Sequence, residues 1–577
     1  MTGTTANQLN HDSDKQKGYS LQAIKPTLAT LLLALPVLAA HAAEPAPNAG
    51  SILQQNQQLK PPAAASGTTG LTIQQEGRGN LPPSAPFHVS AIEISGNTQF
   101  DTATLHALVA EAEGKDLSLP QLEDIIARIT DYYRDHGYPL ARAAIPAQTI
   151  QGGVVHVLIV EARYSNIIID NHSRVVDSLL QQTLATLQNG QQVQQKPLDH
   201  ALLLLSDIPG VAPTATLKPG ATVGTSDLLV EAAPTAPVTG SLALDNNGNR
   251  ATGRNRLGGN LNIFDPLHIG DILSAGVMSS GSDMNYGSLS YEALLNGQGT
   301  RAGASYTALH YILGDTLAAV GGHGTAAVAS LWARQPLLRS RELNLSLRLQ
   351  YDHKKLEDDI DQTGIQTARH LDNWTISLNG DARDHVLGGA ANTWSLALTG
   401  GDLGFDNASA QVADAAAAKT QGSFSKWTLT YARLQGLSEH DALYVNLFGQ
   451  WANNNLDPSE KMVAGGPYTV RGYDMGALSG DQGALLQIEL RHELGKLWAG
   501  QTQVSAFIDS EHVTINHDTW TSGDNGATLS GAGVGLNWAG ADQWSAKAYV
   551  AAPVGATPAL IGHTNSARAW LEIDKGF

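Results

Sequence analysis

The 577-residue chain contains no cysteine. That excludes disulfide frameworks, thiolate chemistry and Cys-ligated zinc or iron-sulfur centres. Charge is sparse, at 15% of residues, and basic groups are the minority: 35 Lys and Arg stand against 53 Asp and Glu, a formal net charge of -18. So acidic a balance, without a basic stripe, argues against a nucleic-acid partner. With 42% apolar residues the chain is too hydrophobic for a disordered one. Beyond the first 43 positions no stretch approaches the roughly 18 consecutive apolar residues of a membrane-spanning helix. Catalytic signatures are missing too. Gly114-Lys115 and Gly495-Lys496 are not followed by Ser or Thr, so there is no Walker A loop, and neither G-x-S-x-G nor H-E-x-x-H occurs. Gly531-Ala532-Gly533-Val534-Gly535 matches a nucleotide loop only in glycine count; no helix follows, and it reads as small residues in a crowded wall. The 19 histidines are scattered. The expectation is no catalytic residue, no cofactor and no metal.

What is present begins with an export signal. Lys15, Lys17 and Lys25 precede an apolar run at 28–40, and Ala40, Ala42 and Ala43 supply the small residues of a cleavage site. Residues 1–42 therefore read as a signal peptide. Residues 43–86 are rich in Pro, Ala, Gly and Gln and carry one helix-compatible stretch, 51–59 (SILQQNQQL), a tethered short helix plus a flexible linker. From 87 to 233 strand and helix patterns alternate. Strand 89–94 is followed by a helix over 102–113 and a longer one opened by a Ser118/Gln121 capping box. In that second helix Leu122, Ile125, Ile126 and Ile129 share a face, and Gly137 closes it. Strands 141–145 and 154–160 follow, with a turn at 151–153. The same order returns over 164–233, with strand 164–169, helices 175–187 and 198–206, and strands 214–218 and 227–231. Two such units, 87–163 and 164–233, in an exported chain resemble POTRA (polypeptide-transport-associated) domains.

Residues 234–577 nearly lack helical pattern. About sixteen segments alternate apolar and polar residues between Gly, Asn and Asp turns, as transmembrane β-barrel strands do. An even number returns both barrel ends to one side. In 483–494, Leu486, Ile488 and Leu490 share one parity and Gln487, Glu489, Arg491 and Glu493 the other, which sends the polar set to an inner wall. No fixed repeat period supports a β-helix or propeller. In the last segment Ala569, Leu571 and Ile573 oppose Trp570, Glu572 and Asp574, and the chain stops at Phe577; Lys575 is expected near the rim, where its stem can reach water. Asp358-Asp359 and Asp361, after Lys354-Lys355, read as a charged extracellular loop with weak potential for cations.

The sharpest local signal is Val470-Arg471-Gly472-Tyr473 after the Gly465-Gly466 pair. Here the chain resembles the outer-membrane transporters of two-partner secretion, which export haemolysins and filamentous-haemagglutinin-like adhesins. The resemblance extends to a Gly50-Ser51-Ile52-Leu53-Gln54-Gln55 opening like the family's plug helix, two POTRA-like units, the strand count and a terminal Phe577 that resembles the insertion signal of such barrels. It implies that the loop before 483 folds into the lumen, that Arg471 pairs with Asp509 of Ala506-Phe507-Ile508-Asp509, and that Gly472 lets the tip turn tightly while Tyr473 packs on the wall. The Gly usual shortly after that Asp is absent; Ser510-Glu511-His512 stand there. An Arg in a narrow lumen needs a fixed carboxylate, and Asp509 has the parity to face it. The implied fold is a barrel of about 16 strands preceded by two POTRA domains and a plug helix. The implied function is passage of a large unfolded partner exoprotein to the cell surface, with POTRA domains in the periplasm. Outer-membrane lipid and the barrel-assembly machinery are the other expected partners. An assembly insertase, a general porin and a barrel enzyme such as a lipase are the alternatives.

Overall fold

The computed structural model describes residues 46–57, 70–74, 84–562 and 564–577. The expected signal peptide, and Gln58 and Leu59 of the expected helix 51–59, lie outside them. Three bodies follow one another along the chain: a short helix, a pair of α/β units and a closed barrel.

Helix α1 spans Ala49–Asn56 and opens with a capping box in which Asn48 and Ser51 exchange side-chain and backbone bonds. It starts two residues before the expected stretch because Asn48 supplies the cap. Strand β1 (Leu71–Ile73) is unexpected: the linker pairs in parallel with β8 (Val211–Pro219), Leu71 opposite Ala215 and Ile73 opposite Leu217. Leu71 and Ile73 pack against an apolar cluster of the second unit, which explains why a Pro- and Gly-rich linker orders there.

The first unit comprises β2 (Phe87–Val89), β3 (Ala91–Ser95), α2 (Thr102–Ala107), β4 (Lys115–Leu117), α3 (Leu119–Asp135), β5 (Arg142–Ala144) and β6 (Val154–Val160). Its sheet order is β3-β6-β5. Leu122, Ile126, Ile129 and Tyr133 of α3 are buried against Val155, Val157 and Ile159, so the apolar stripe covers the sheet as its spacing requires. The expected helix 102–113 is broken: Val109 leaves helical geometry and a single 3-10 turn follows. The second unit has β7 (Arg163–Asn171), α4 (Asp177–Leu184), α5 (Gln195–Ser206), β8 and β9 (Thr225–Pro234), in sheet order β1-β8-β9-β7. Its helix α5 docks on the turn that follows β15, at the end of the barrel nearest the α/β units, where Arg339 grips Asp207 with two bonds of 2.7 and 2.8 Å and Arg341 meets Asp199 at 2.6 Å.

The barrel strands are β10 (Val238–Asp245), β11 (Arg256–Phe264), β12 (Ile272–Ser279), β13 (Met284–Leu294), β14 (Arg301–Ile312), β15 (Gly322–Arg339), β16 (Leu343–Ile360), β17 (Ile365–Asp384), β18 (Ala390–Phe405), β19 (Gly422–Gly436) and β20 (Asp441–Ala452). A long loop carrying the small pair β21 (Met462–Ala464) and β22 (Leu478–Gly480) intervenes. Then come β23 (Gln482–Leu497), β24 (Gly500–Thr514), β25 (Gly526–Gly540), β26 (Trp544–Pro553) and β27 (Arg568–Gly576). All sixteen wall strands, β10 to β20 and β23 to β27, form one closed antiparallel barrel, with β27 paired to β10.

Alternation orders the two faces. Leu486, Ile488 and Leu490 lie exposed on the outside while Gln487 and Glu489 are buried inside, as the period of two demands. Among the described residues no helix is long and apolar enough to cross a membrane, which says nothing of the barrel strands. Asp358, expected in a loop, instead sits within β16, and its parity turns it into the lumen beside Tyr311 and Arg369. At the rim Phe577 packs over Gly240, whose missing side chain leaves the ring room, and the two residues exchange backbone bonds of 3.0 Å. Lys575 reaches the carbonyls of Asp542 and Gly576, the latter at 3.0 Å.

Candidate functional site: the filled lumen

Two pieces of the chain occupy the barrel interior, the loop between β20 and β23 and helix α1. The loop presents Val470 to Tyr473 to the wall of β23–β27. Arg471 donates through Nε and Nη2 to the two oxygens of Asp509 at 2.9 and 2.8 Å, and through Nη1 to Glu489 at 2.6 Å; its backbone N–H also reaches Asp509 at 3.1 Å. The guanidinium lies 3.3 Å from the Phe507 ring centroid, so its flat face is covered by an aromatic while its edge meets carboxylates. Arg491 approaches the other Glu489 oxygen at 2.9 Å. Asp509 is fully buried and Arg471 nearly so.

Val470 and Tyr473 are buried in an apolar cluster with Leu485, Val513 and Leu529 of the wall. Gly472 stands in a tight turn at the tip, as expected, closed by the Tyr473 N–H donating to the Val470 carbonyl at 3.1 Å, and it does so without a positive φ. It is needed for proximity: a Cβ there would lie 2.9 Å from the Ala552 backbone, and the absence of a side chain at Gly531 admits the Gly472 N–H from the other side. Gly531 on β25 is thus part of the floor on which the loop tip rests, while Gly533 and Gly535 make room for the wall rings of Phe507 and Tyr549. Trp570 of β27 donates its indole N–H to the Arg471 carbonyl at 2.9 Å.

The loop's other limb is tied to the opposite wall. Glu460, buried, accepts from Lys354 at 2.6 Å, Lys426 at 2.9 Å and Asn373 at 2.7 Å, while Asp457 meets Arg369 at 2.5 Å. A carboxylate between two lysines is compensated by charge and hydrogen bonds together, as burial requires.

Helix α1 lies against this second limb. Ile52 and Leu53 are buried in an apolar patch of the lumenal wall made by Leu309, Val328, Leu356, Leu371, Leu403 and Phe424. Gln54 donates to the Ser459 carbonyl and Gln55 accepts from Asn249 at 3.1 Å. At the helix N-terminus the Ala49 N–H donates to Asp358 at 2.7 Å, and Asp358 also takes bonds from Tyr311 at 2.6 Å and Arg369 at 2.7 Å. The negative group stands where the helix dipole favours it. With Arg369 beside it, Asp358 is neutralised, and the weak expectation of a cation site at 358–361 is not met.

Glu489 could be found from sequence by parity alone. Glu460, Asp457, Lys354, Arg369 and Asp358 could not, because their partners lie across the lumen and loop residues have no period. Among the described residues no group of three or more His, Asp or Glu is disposed to hold a metal ion.

Comparison with known proteins agrees with this architecture. Residues 224–538 match the family described as haemolysin secretion/activation protein ShlB/FhaC/HecB, and residues 87–162 match the ShlB-type POTRA domain. The chain is 25% identical over 498 residues to the heme/hemopexin transporter protein HuxB of Haemophilus influenzae, covering 85% of this chain and 87% of that one. It is 25% identical over 505 residues to the outer membrane transporter CdiB of Escherichia coli, covering 84% and 83%. The structure of CdiB from Escherichia coli shares the fold with a TM-score of 0.65 at 21% identity, over 87% of this chain and 92% of that one. Family members are transporters, and their barrels lie in the outer membrane with POTRA domains in the periplasm. A closed sixteen-strand wall, POTRA units before it and a match across more than half of the chain together mean that this protein belongs to the haemolysin secretion/activation family of outer-membrane two-partner secretion transporters.

Proposed function

We propose that the chain works as five parts: a signal peptide (1–42), a plug helix with its linker (43–86), two POTRA domains (87–163 and 164–233) and a conducting barrel (234–577). A partner exoprotein, unfolded in the periplasm, adds a strand to a POTRA sheet edge, a mode whose main-chain bonds do not depend on client sequence. The pairing of β1 with β8 supports this: that edge accepts an extended segment, and a client using it competes with the linker. The plug then leaves and the client passes beside the loop, whose shape is held by the Arg471 latch on Asp509. Transport is the whole activity of the chain, without catalysis or cofactor. Phe577 and the last strand serve recognition by the assembly machinery, and the apolar outer belt meets lipid.

The observation that carries this reading is the contrast inside the lumen: the loop tip is held by a bidentate ion pair and a second, single one, the plug by apolar side chains and a few hydrogen bonds. The test is a comparison of culture supernatants and outer-membrane profiles with and without the protein. Loss of one large exoprotein with other barrels unchanged is the expected result. Depleted barrels with an unchanged supernatant would point to an assembly factor, and no change in either to a porin.

A further inference from the structure

The barrel closes where its last strand meets its first, and this seam is the shortest in register. Strands β10 and β27 pair over five positions, from Ser241 opposite Gly576 to Asp245 opposite Glu572. The flanking pairs β10–β11 and β26–β27 each run over eight. Towards the extracellular end β27 continues to Arg568, whereas β10 ends at Asp245. Asn246 extends the ladder by one step: its backbone N–H donates to the Leu571 carbonyl at 3.2 Å, and its side chain accepts from the Leu571 N–H at 2.8 Å and donates to the Ala569 carbonyl at 3.0 Å. Above that point no strand of the wall covers the free edge of β27.

The inward loop covers it. Asp474, the residue after Tyr473, pairs with Arg568 on β27 and, with the same oxygen, with Arg254 in the β10–β11 turn at 3.0 Å. One carboxylate therefore joins the two sides of the seam. A second bridge lies lower: Tyr468 donates to Glu572 of β27 at 3.2 Å, and Asn247, just past β10, reaches that same carboxylate at 3.1 Å. Arg471 is not part of this bridging; its carboxylate partners stand on β23 and β24.

We propose that the inward loop is also the clasp of the closing seam, with Asp474 as the positioning residue that holds β27 to the β10–β11 turn and keeps the wall shut at its extracellular half. The loop then has two separable attachments: Arg471 fixes where it lies, and Asp474 uses it as a strut across a gap in the sheet. The need is physical. An unpaired strand edge facing lipid leaves backbone groups without partners, which a membrane cannot supply.

The absence of cysteine makes the test direct. In the full-length protein, the temperature at which the barrel unfolds is read by heat-modifiability on electrophoresis for Asp474→Asn and, separately, Arg254→Gln, which breaks only the β10-side arm and so serves if the first variant fails to insert. Each is placed in two backgrounds: a seam disulfide, Leu244→Cys with Ile573→Cys, and a remote one, Leu289→Cys with Tyr306→Cys between β13 and β14. Both pairs are in register and outward-facing. The clasp predicts that each variant lowers the midpoint by several degrees, that the oxidised seam disulfide erases the difference, and that the remote one does not. Unchanged midpoints, or equal rescue by both disulfides, would overturn it.

Discussion

The loop and the plug fill the same lumen, yet the wall treats them differently. Against β23–β27 the loop tip meets charge with charge: Arg471 is shared between Asp509 and Glu489 and roofed by Phe507. Against β14–β19 the plug meets mostly carbon, and its polar contacts, at Ala49, Gln54, Gln55 and Asn56, are hydrogen bonds without a charged group on the helix side chains, the one to a guanidinium being Asn56 accepting from Arg256 at 3.2 Å. A multidentate buried ion pair is costly to break one side at a time, because each stripped partner stays behind unpaired. An apolar face gives up its contacts to any other apolar face of similar size. One seat is built for permanence and the other for exchange.

The comparison can be broken from either side. The largest effect belongs to Arg471→Ala, which strands two buried carboxylates, a loss of about 3–5 kcal/mol at the latch. Export should fall to background while the barrel remains inserted, seen by immunoblot of supernatant against membranes; export at the parental level would refute the latch. Arg471→Lys should not restore export, since an ammonium cannot serve Asp509 bidentately and Glu489 together. Next comes the plug. Leu53→Asp removes about 2 kcal/mol of burial and puts a charge into the apolar seat. Steady conductance in planar bilayers should rise several-fold with export retained, and a channel as quiet as the parent would show that the seat is not apolar in effect. Asp358→Asn keeps the shape and an acceptor but removes the charge facing the plug's N-terminus, worth about 1 kcal/mol. Brief openings should become more frequent without a change in the fully open level.

The smallest effect lies outside the barrel. Glu161 ties the first POTRA unit together and to the second: it accepts from Thr98, from Tyr133 at 2.7 Å and from Gln192 at 2.7 Å. Burial pushes its carboxyl up, but the bonds from Thr98, Tyr133 and Gln99 outweigh that and hold it below its ordinary value of 4.5. The group is therefore charged more readily when folded. Its contribution is complete above the ordinary value and is lost as pH falls through the lowered one. Hydrogen exchange at the Thr98 and Gln99 amides should accelerate on acidification in the parent and be insensitive to pH, after correction for intrinsic rates, in Glu161→Gln.

Much of this molecule is written in periods. The strands of the wall announce themselves through alternation, and α3 through Leu122, Ile126 and Ile129, because burial on one face must repeat at the pitch of the element. Arg471 and Asp509 were legible through the tetrapeptide and a parity. What was not legible lacks a period. Leu71 and Ile73 are two apolar residues in a linker, and nothing local says that β8 offers them an edge. Asp358 stands in a run of charges that reads as loop, because its partners Arg369 and Ala49 are brought by the barrel's curvature and by a helix some three hundred positions away. Gly472 reads as a tight turn and forms one, but that its backbone also needs room is not legible, because the requirement is set by Ala552 and Gly531 across the lumen.

The plug differs from a soluble blocker in belonging to the chain it obstructs. Its seat is offered at an effective concentration fixed by the length of its tether, commonly millimolar for short linkers, and no dilution in the periplasm lowers it. On the proposed cycle, a departing client leaves behind a vacancy whose natural occupant is already waiting. Permeability to small solutes would then be governed by transit time rather than by the abundance of any inhibitor, and many such pores could stand in one membrane without a standing leak.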